Sequence, residues 1–462
     1  MAESPLRAPF RRPMFRRLAV SYAINEIGDW MGVVALAVLV YDRTGSAFAT
    51  TGLFLGTRFL PSVLAPILVA RAERPAPRFS LPVIYCAEAA AFGGLALLAG
   101  SGRFSLAAVI AVATVDGALA LTGRSLTRAV VAALLGPAEE LRAGNAILNV
   151  AFTGGAAVGP ALAGLIVAGF GVQTALLADA ASFYAIAWIL LTAGPLPRSG
   201  AEPETGAGRL REGFAYIRQR VTLRRLLGSQ AVAFVFFAAV IPVEVIYAKE
   251  TLGAGDSGYG LLLASWGAGM VIGSLLFAGM RRGSLAYLLF FSTLAVGAGY
   301  LGIAVAPTLA VACAASVLGG TGNGVQWVSM VSSVQELTAT EMQARVISVL
   351  ESIGAAMPGV GFLLGGLIAA EQDPRATFLI AGAGVVAVAL AAAALLGSRW
   401  ATRSSYEARR PPAGSSQDLD AGDRVMVELR SKRDARGAPK GNPGKPLAAT
   451  SGEESKSQTG RS

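Results

Sequence analysis

Apolar residues occur along this chain in long runs, separated by short gaps rich in arginine. About 20 mainly apolar residues in a helix cross the hydrocarbon of a bilayer. Runs of that length predict spanning helices near 18–41, 47–70, 81–100, 104–134, 143–169 and 172–194. A second set follows near 229–249, 257–280, 285–305, 308–336, 343–370 and 375–397. A polar stretch divides the two sets, six and six. Within it, Arg209–Arg225 alternates basic residues with Leu210, Phe214, Ile217 and Val221 at helical spacing. That spacing predicts an amphipathic helix lying on the cytoplasmic membrane surface. From Ser398 onward Pro, Gly, Ser and mixed charges leave nothing to bury, which predicts a disordered tail. The pattern therefore predicts an all-α membrane protein with 12 transmembrane helices in two six-helix bundles. Its parts are an N-terminal cytoplasmic segment 1–17, a bundle 18–194, a linker 195–228, a bundle 229–397 and a cytoplasmic tail 398–462.

Composition strengthens this reading. Of the 462 residues 54% are hydrophobic and 15% charged, against about 25% charged in soluble proteins. The 56 glycines fall largely inside the apolar runs, where close helix packing uses them. The net charge of +10 comes from arginines in the short gaps and from the tail, a distribution that suits a membrane topology signal and not a nucleic-acid face. With the N-terminus inside, the cytoplasmic gaps hold Arg71, Arg74, Arg78, Arg124, Arg128 and Arg142 and the arginines of the linker. The opposite side holds Arg43, Arg103, Lys249 and Arg375. This asymmetry predicts a multi-pass cell-membrane protein with both termini in the cytoplasm. The run after the Arg-rich N-terminus is too long for a signal peptide. Cys86 and Cys313 lie in apolar runs and read as small hydrophobes. The chain has no His, no metal-ligand cluster, no nucleophile constellation and no GxxxxGK[ST] phosphate loop, so neither an enzyme, a metal, a cofactor nor ATP-driven work is expected. The Gly320–Gly324 stretch sits within an apolar helix and reads as a packing or bending element.

The two halves resemble each other. Val158–Ala168 reads VGPALAGLIVA and Val360–Ala370 reads VGFLLGGLIAA, offset by 202 residues, and Arg16-Arg17-Leu18 matches Arg224-Arg225-Leu226, offset by 208. Two matches at similar offsets across a central linker predict a duplicated six-helix unit with a substrate site between the halves, near the midplane.

An ionisable group at mid-bilayer costs about 2.5–3.5 kcal/mol on insertion scales, so each one asks for a reason. Glu26 and Asp29 are three apart on helix 1 and share a face with Asn25. Arg58 in helix 2 is a plausible partner. Asp116 in helix 4, Glu244 after Pro242 in helix 7 and Glu351 in helix 11 are further candidates; Glu88 and Asp179 are also intramembrane carboxylates. Two readings of the Asp29, Glu26 and Arg58 group stand side by side. It is a proton or substrate site whose carboxylate loads a proton when desolvated, or a static ion pair fixing helices 1 and 2. Trp30, Phe54, Phe59, Phe234, Phe236, Phe237 and Trp327 are candidates for lining an apolar cavity, or for lipid-facing and core packing.

These features resemble the major facilitator superfamily. Gly155-Ala-Ala-Val-Gly159-Pro160-Ala-Leu-Ala163-Gly164 in helix 5 resembles its antiporter motif GxxxGPxxGG, with Ala163 for one glycine. Physically, small residues at this spacing admit a neighbouring backbone, and Pro160 removes a helix hydrogen bond. Arg16-Arg17-Leu18, Gly28-Asp29-Trp30, Tyr41–Ser46, Leu141–Ala146 and Asp179–Phe183 resemble the enterobactin-exporter-like and macrolide-efflux-like branch. The superfamily's GxLADRxGRR loop is altered here to Val69-Ala70-Arg71-Ala72-Glu73-Arg74, with Glu73 at the gating acid's place and Arg74 retained. The resemblance implies a cytoplasmic gate involving Glu73 and Arg74; Arg124 and Arg128, at the cytoplasmic end of helix 4, read either as snorkelling topology anchors or as part of that gate. It implies a monomeric secondary transporter that exports a small, partly apolar molecule such as a drug, macrolide or siderophore in exchange for protons, by alternating access. An importer or symporter on the same fold and a transport-silent scaffold or sensor remain as alternatives.

Overall fold

The computed structural model describes residues 8–62, 77–101, 104–135, 138–192, 206–280 and 284–407, and among these every regular element is helical. In chain order they are α1 (Pro13–Thr44), α2 (Ala47–Phe54, continued by a π-helical turn Leu55–Phe59), α3 (Pro77–Gly100), α4 (Leu106–Leu134), α5 (Ala138–Phe170) and α6 (Val172–Leu191). Then come α7 (Gly206–Gln219) and α8 (Val221–Ala239), after which a broken segment leads through Glu244–Ile246 into a second π turn, Tyr247–Thr251. The series ends with α9 (Gly255–Gly279), α10 (Leu285–Val305), α11 (Leu309–Glu336), α12 (Gln343–Glu371) and α13 (Pro374–Glu407).

Ten of the described helical segments are long and apolar enough to cross a membrane. α2 is described only as far as residue 62. α11 is long, but Gly319, Gly320, Gly322, Asn323, Gly324 and Gln326 dilute its apolar content. Large apolar side chains stand exposed on the outside, among them Leu97 at 71%, Trp188 at 71% and Phe170 at 76%. Only an apolar solvent makes such a surface stable.

Helix ends follow local chemistry. α1 stops at Gly45, whose φ of +58° closes the helix in the left-handed region. Ser46, Ser105 and Thr308 cap α2, α4 and α11 by accepting from a backbone N–H three residues on.

Packing is built on small residues. α1 packs on α5 and α6, and α3 on α6 and α4; later in the chain α8 packs on α12 and α13, and α10 on α13 and α11. A Cβ placed on Gly159 of α5 would lie 2.6 Å from the Ile27 carbonyl oxygen of α1, and one on Gly361 of α12 would lie 2.3 Å from that of Val235 of α8. Val235 follows Ile27 by 208 residues and Gly361 follows Gly159 by 202, the two offsets read from the sequence.

Two expectations change. The linker helix does not run through Arg225: it ends at Gln219, Arg220 turns into an extended conformation, and the spanning helix α8 starts at Val221, not near 229. Nor does α7 lie free on the membrane. Leu210 and Ile217 pack with Leu223, Val346 and Val349 while Phe214 stays 54% exposed. Glu212 pairs with Arg345 Nε at 2.9 Å, and the Tyr216 hydroxyl accepts from the Ala339 N–H at 2.9 Å. Gly213 makes the docking possible, since a Cβ there would fall 2.6 Å from the Arg345 carbonyl oxygen. α13 also continues to Glu407, into the stretch read as tail. The rest of that tail, 408–462, and Glu73 and Arg74 of the altered loop lie outside the described residues.

Candidate functional site

The sequence pairs Glu26 and Asp29 on one face of α1, and the structure supplies their cation from α4. Arg124 Nε stands 3.2 Å from Glu26 Oε1, and Arg124 Nη2 donates to Asp29 Oδ2 at 2.5 Å. Asn25 Nδ2 donates to the same Asp29 oxygen at 3.1 Å. Glu26 is 0% exposed. Its contact with Arg124 is one of charge alone, without the alignment of a hydrogen bond.

The expected partner, Arg58, makes neither ion pair. It sits exposed in the π turn of α2 with its guanidinium 5.5 Å from the Trp30 ring centroid, at cation–π distance. A π turn inserts a residue and resets which side chain meets a neighbouring helix, so a helical count does not foresee it. Arg124, read as a gate residue at the end of helix 4, stands well inside α4; Arg128, one turn on, is exposed.

Asp29, Leu53, Phe54, Arg58, Asp116 and Arg124 border a cavity of 80 Å³. Drug-sized ligands occupy roughly 300–1,000 Å³, so this cavity as it stands suits water and protons more than a large substrate. A larger cavity of 280 Å³ lies among α8, α10, α11 and α13, bordered by Gln230, Tyr287, Phe290, Thr293 and Gln326. Gln326 Nε2 donates there to Thr293 Oγ1 at 3.0 Å. It is lined by uncharged side chains and lies apart from the ion pair.

The other carboxylates divide. Asp116 joins the small cavity. Asp179 is 1% exposed and accepts from Ser182 Oγ at 3.2 Å. It is seated against α1 where a Cβ on Gly28 would lie 2.3 Å from it, which explains the Gly28 beside Asp29. Glu244 follows the break after α8, within electrostatic reach of Tyr259 and Tyr300. Glu351 is exposed on α12 and is not brought to the α1–α4 group.

The small-residue run of α5 serves two neighbours. Gly155 and Gly159 face α1, where a Cβ on Gly155 would lie 2.8 Å from Glu26 Cβ. Ala156, Pro160 and Gly164 face α9: a Cβ on Gly267 would fall 2.2 Å from the Ala156 oxygen, and one on Gly260 2.4 Å from the Pro160 oxygen. α12 repeats this at Gly366, where a Cβ would meet Thr51 Oγ1 of α2 at 2.0 Å. α5 thus holds the carboxylate-bearing turn of α1 on one side and α9 on the other.

A second charged group is not legible in the sequence as a unit. Lys249, in the second π turn, donates to Asp42 of α1 and to Asp256 of α9, the latter at 2.7 Å. Next to it the Tyr41 hydroxyl donates to Glu250. The sequence offers Tyr41 and Asp42 only within the stretch Tyr41–Ser46 and Lys249 only as a charge on the side opposite the cytoplasm; nothing in their spacing joins positions some two hundred residues apart. The aromatic candidates scatter as well. Phe54 meets Phe362 of α12 with ring centroids 5.8 Å apart, Phe237 packs on Trp266 at 5.8 Å, and Phe234 faces Trp327 at 6.5 Å. Cys86 and Cys313 are free thiols.

Over 408 residues the chain is 26% identical to the multidrug efflux pump Tap of Mycobacterium tuberculosis, covering 84% of this chain and 95% of the pump. Among solved structures it is similar to the peptide transporter POT, with a TM-score of 0.68 at 13% identity over 84% of this chain and 95% of that one. It is also similar to a bacterial homologue of the human lysosomal transporter Spinster in an inward-facing, unoccupied conformation, with a TM-score of 0.61 at 16% identity over 88% and 99%. At such identities these two likenesses show the fold. The family described as transmembrane secretion effectors matches residues 4–429, nearly the whole chain. The chain belongs to that major facilitator family of membrane transporters.

Proposed function

We propose that this transporter is a proton-coupled exporter of small, partly apolar molecules, working as a monomer by alternating access. The observation that carries the reading is one cation, Arg124, shared by two carboxylates of α1 at the edge of a cavity that Arg58 and Asp116 also border. A proton taken by Asp29 or Glu26 removes one of the two ion pairs that tie α1 to α4. Asn25, Arg58 and Asp116 complete this group, and Glu244 and Glu351 are the carboxylates offered by the second half. The small cavity widens in the conformation that admits substrate. Twelve spans in two related six-helix bundles, joined by a linker that ends where α8 starts at Val221 and with both termini cytoplasmic, are the reading supported by the arginine distribution and by the two offsets of 208 and 202 residues that meet in the glycine contacts. In this orientation the Lys249 group closes the external side. The efflux pump among the relatives supports the outward direction.

The test is transport in inside-out vesicles against a panel of partly apolar toxic compounds. An acidic lumen drives uptake, collapse of the pH gradient abolishes it, and Asp29→Asn weakens the coupling. Flux indifferent to the gradient refutes proton coupling. Uptake in right-side-out vesicles alone makes the protein an importer.

A further inference from the structure

The interior of the first six helices holds more negative charge than it can neutralise. Among the described residues, Glu26 and Asp29 on α1, Glu88 on α3, Asp116 on α4 and Asp179 on α6 are five carboxylates, and Arg58 and Arg124 are the cations within their reach. Three negative charges are left over. Asp29 and Glu26 have Arg124, Asp179 has Ser182, and Asp116 borders the cavity.

Glu88 has none of these. It is 0% exposed, and neither of its carboxylate oxygens has a hydrogen-bond partner among the described residues. The groups facing it are Asp116 and Arg124 from α4, Asp29 from α1, Asp179 from α6 and Tyr85 on its own helix. Three of the five are carboxylates. Arg124 is already engaged by Glu26 and Asp29. An ionised carboxylate in that place forfeits its hydration for no counter-ion. The carboxylic acid, holding one proton, carries no such penalty. One turn on from Glu88, Phe92 borders the cavity shared with Asp29 and Asp116, so widening of that cavity brings water towards Glu88.

We propose that Glu88 is a second proton-carrying residue of the transport cycle, separate from the carboxylates held by Arg124. When the cavity opens to the acidic side, a hydronium ion transfers its proton to a Glu88 oxygen and leaves as water. When it opens to the other side, water takes the proton from Glu88 and leaves as hydronium, with no other bond changed. The inference rests on the proton-coupled reading, and its two measurements keep the two apart.

The first measurement is labelling of the purified full-length protein by a carbodiimide, which attacks protonated carboxyl groups in apolar surroundings, followed by peptide mass spectrometry. Glu88 is expected to be modified in mildly acidic buffer and progressively protected as the buffer is made alkaline. Absence of modification at every pH, or modification independent of pH, overturns the proposal whether or not any substrate is transported. The second is steady-state accumulation in vesicles with the membrane potential clamped. Each proton exchanged across about one pH unit sustains about tenfold accumulation. Glu88→Gln is therefore expected to lower accumulation by about tenfold per pH unit while leaving a residual gradient-driven component from Asp29 and Glu26. An unchanged accumulation ratio in Glu88→Gln overturns the proposal and leaves proton-coupled export standing.

Discussion

Arg124 offers the sharpest test of what the buried charges are for. Arg124→Gln removes the only cation within 4 Å of Glu26 and Asp29 among the described residues. At charge-centre separations near 4 Å and an effective dielectric near 20, each pair has about 4 kcal/mol of gross attraction, most of it offset by desolvation. The penalty of the single substitution is larger than the net value of the pairs, because it leaves Glu26 buried with no counter-ion. Breaking a buried pair from one side costs about 3–5 kcal/mol. Asp29→Asn alone costs less, because Arg124 keeps Glu26. In the double variant Asp29→Asn/Arg124→Gln one carboxylate, Glu26, remains, and it can be neutral with one proton. Denaturant titration of the four proteins in detergent gives the coupling energy directly. We expect Arg124→Gln to lose about 3–5 kcal/mol and the double variant to recover at least about 1 kcal/mol of it. Transport is then measured on the same samples. A static clamp regains flux along with stability in the double variant; a coupling site regains stability and keeps a weakened response to the pH gradient. A loss below about 1 kcal/mol in Arg124→Gln, the range of exposed surface pairs, refutes the claim that this charge group is structurally buried and energetically linked.

Three further predictions probe the surroundings. Gly267→Val and Gly159→Val force apart α9 from α5 and α5 from α1, since their Cβ atoms would fall 2.2 Å and 2.6 Å from backbone oxygens; overpacking of about 1–3 kcal/mol is expected as lower folded yield and melting temperature, with Gly154→Ala, in open space, as the unaffected control. Lys249→Met frees Asp42 from Asp256, and a cysteine placed at Val33, which also borders the 80 Å³ cavity, in a cysteine-free background should become more reactive to an impermeant maleimide from the side opposite the arginine-rich loops; unaltered reactivity argues against a gate. Glu212→Gln removes an exposed pair and should change stability by less than about 1 kcal/mol, whereas Gly213→Leu should release α7 and raise its proteolytic cleavage.

The sequence makes legible what depends on periodicity and misses what depends on long-range meeting. Apolar run length places most spanning helices, because the hydrocarbon thickness sets their minimum length whatever they pack against. The small-residue spacing in α5 predicts close approach, and both its faces are so used. Two π turns escape that reading, and both carry a charged residue of interest, Arg58 and Lys249. A one-residue insertion in a helix leaves no compositional trace. The choice of Arg124 over Arg58 therefore turns on a local backbone detail. The docked face of α7 is a similar case: amphipathicity says that one side is apolar, and only Gly213 against α12 says that protein covers it.

The Arg124 group and the Lys249 group share one helix. Asp29 and Asp42 are 13 residues apart on α1, which places them about 20 Å apart along its axis. Between and around them α1 is held by backbone-close contacts on both sides: Gly28 and Gly32 against Asp179 and Phe92, and residues 26–30 against Gly155 and Gly159 of α5. Such contacts resist gradual sliding, because close-packed helices have few alternative arrangements. A change in the Arg124 pairs therefore reaches Asp42 as a movement of α1 as a whole, not as local bending. α5 carries the same movement to α9, whose Asp256 is the other acceptor of Lys249. If this is how the two groups communicate, Lys249→Met weakens the effect of pH on the accessibility of the cavity, and Asp29→Asn weakens the effect of Lys249 by the same free energy, since coupling between two sites is reciprocal. A pH response of residue 33 labelling that is identical with and without Lys249 removes α1 as the connecting element.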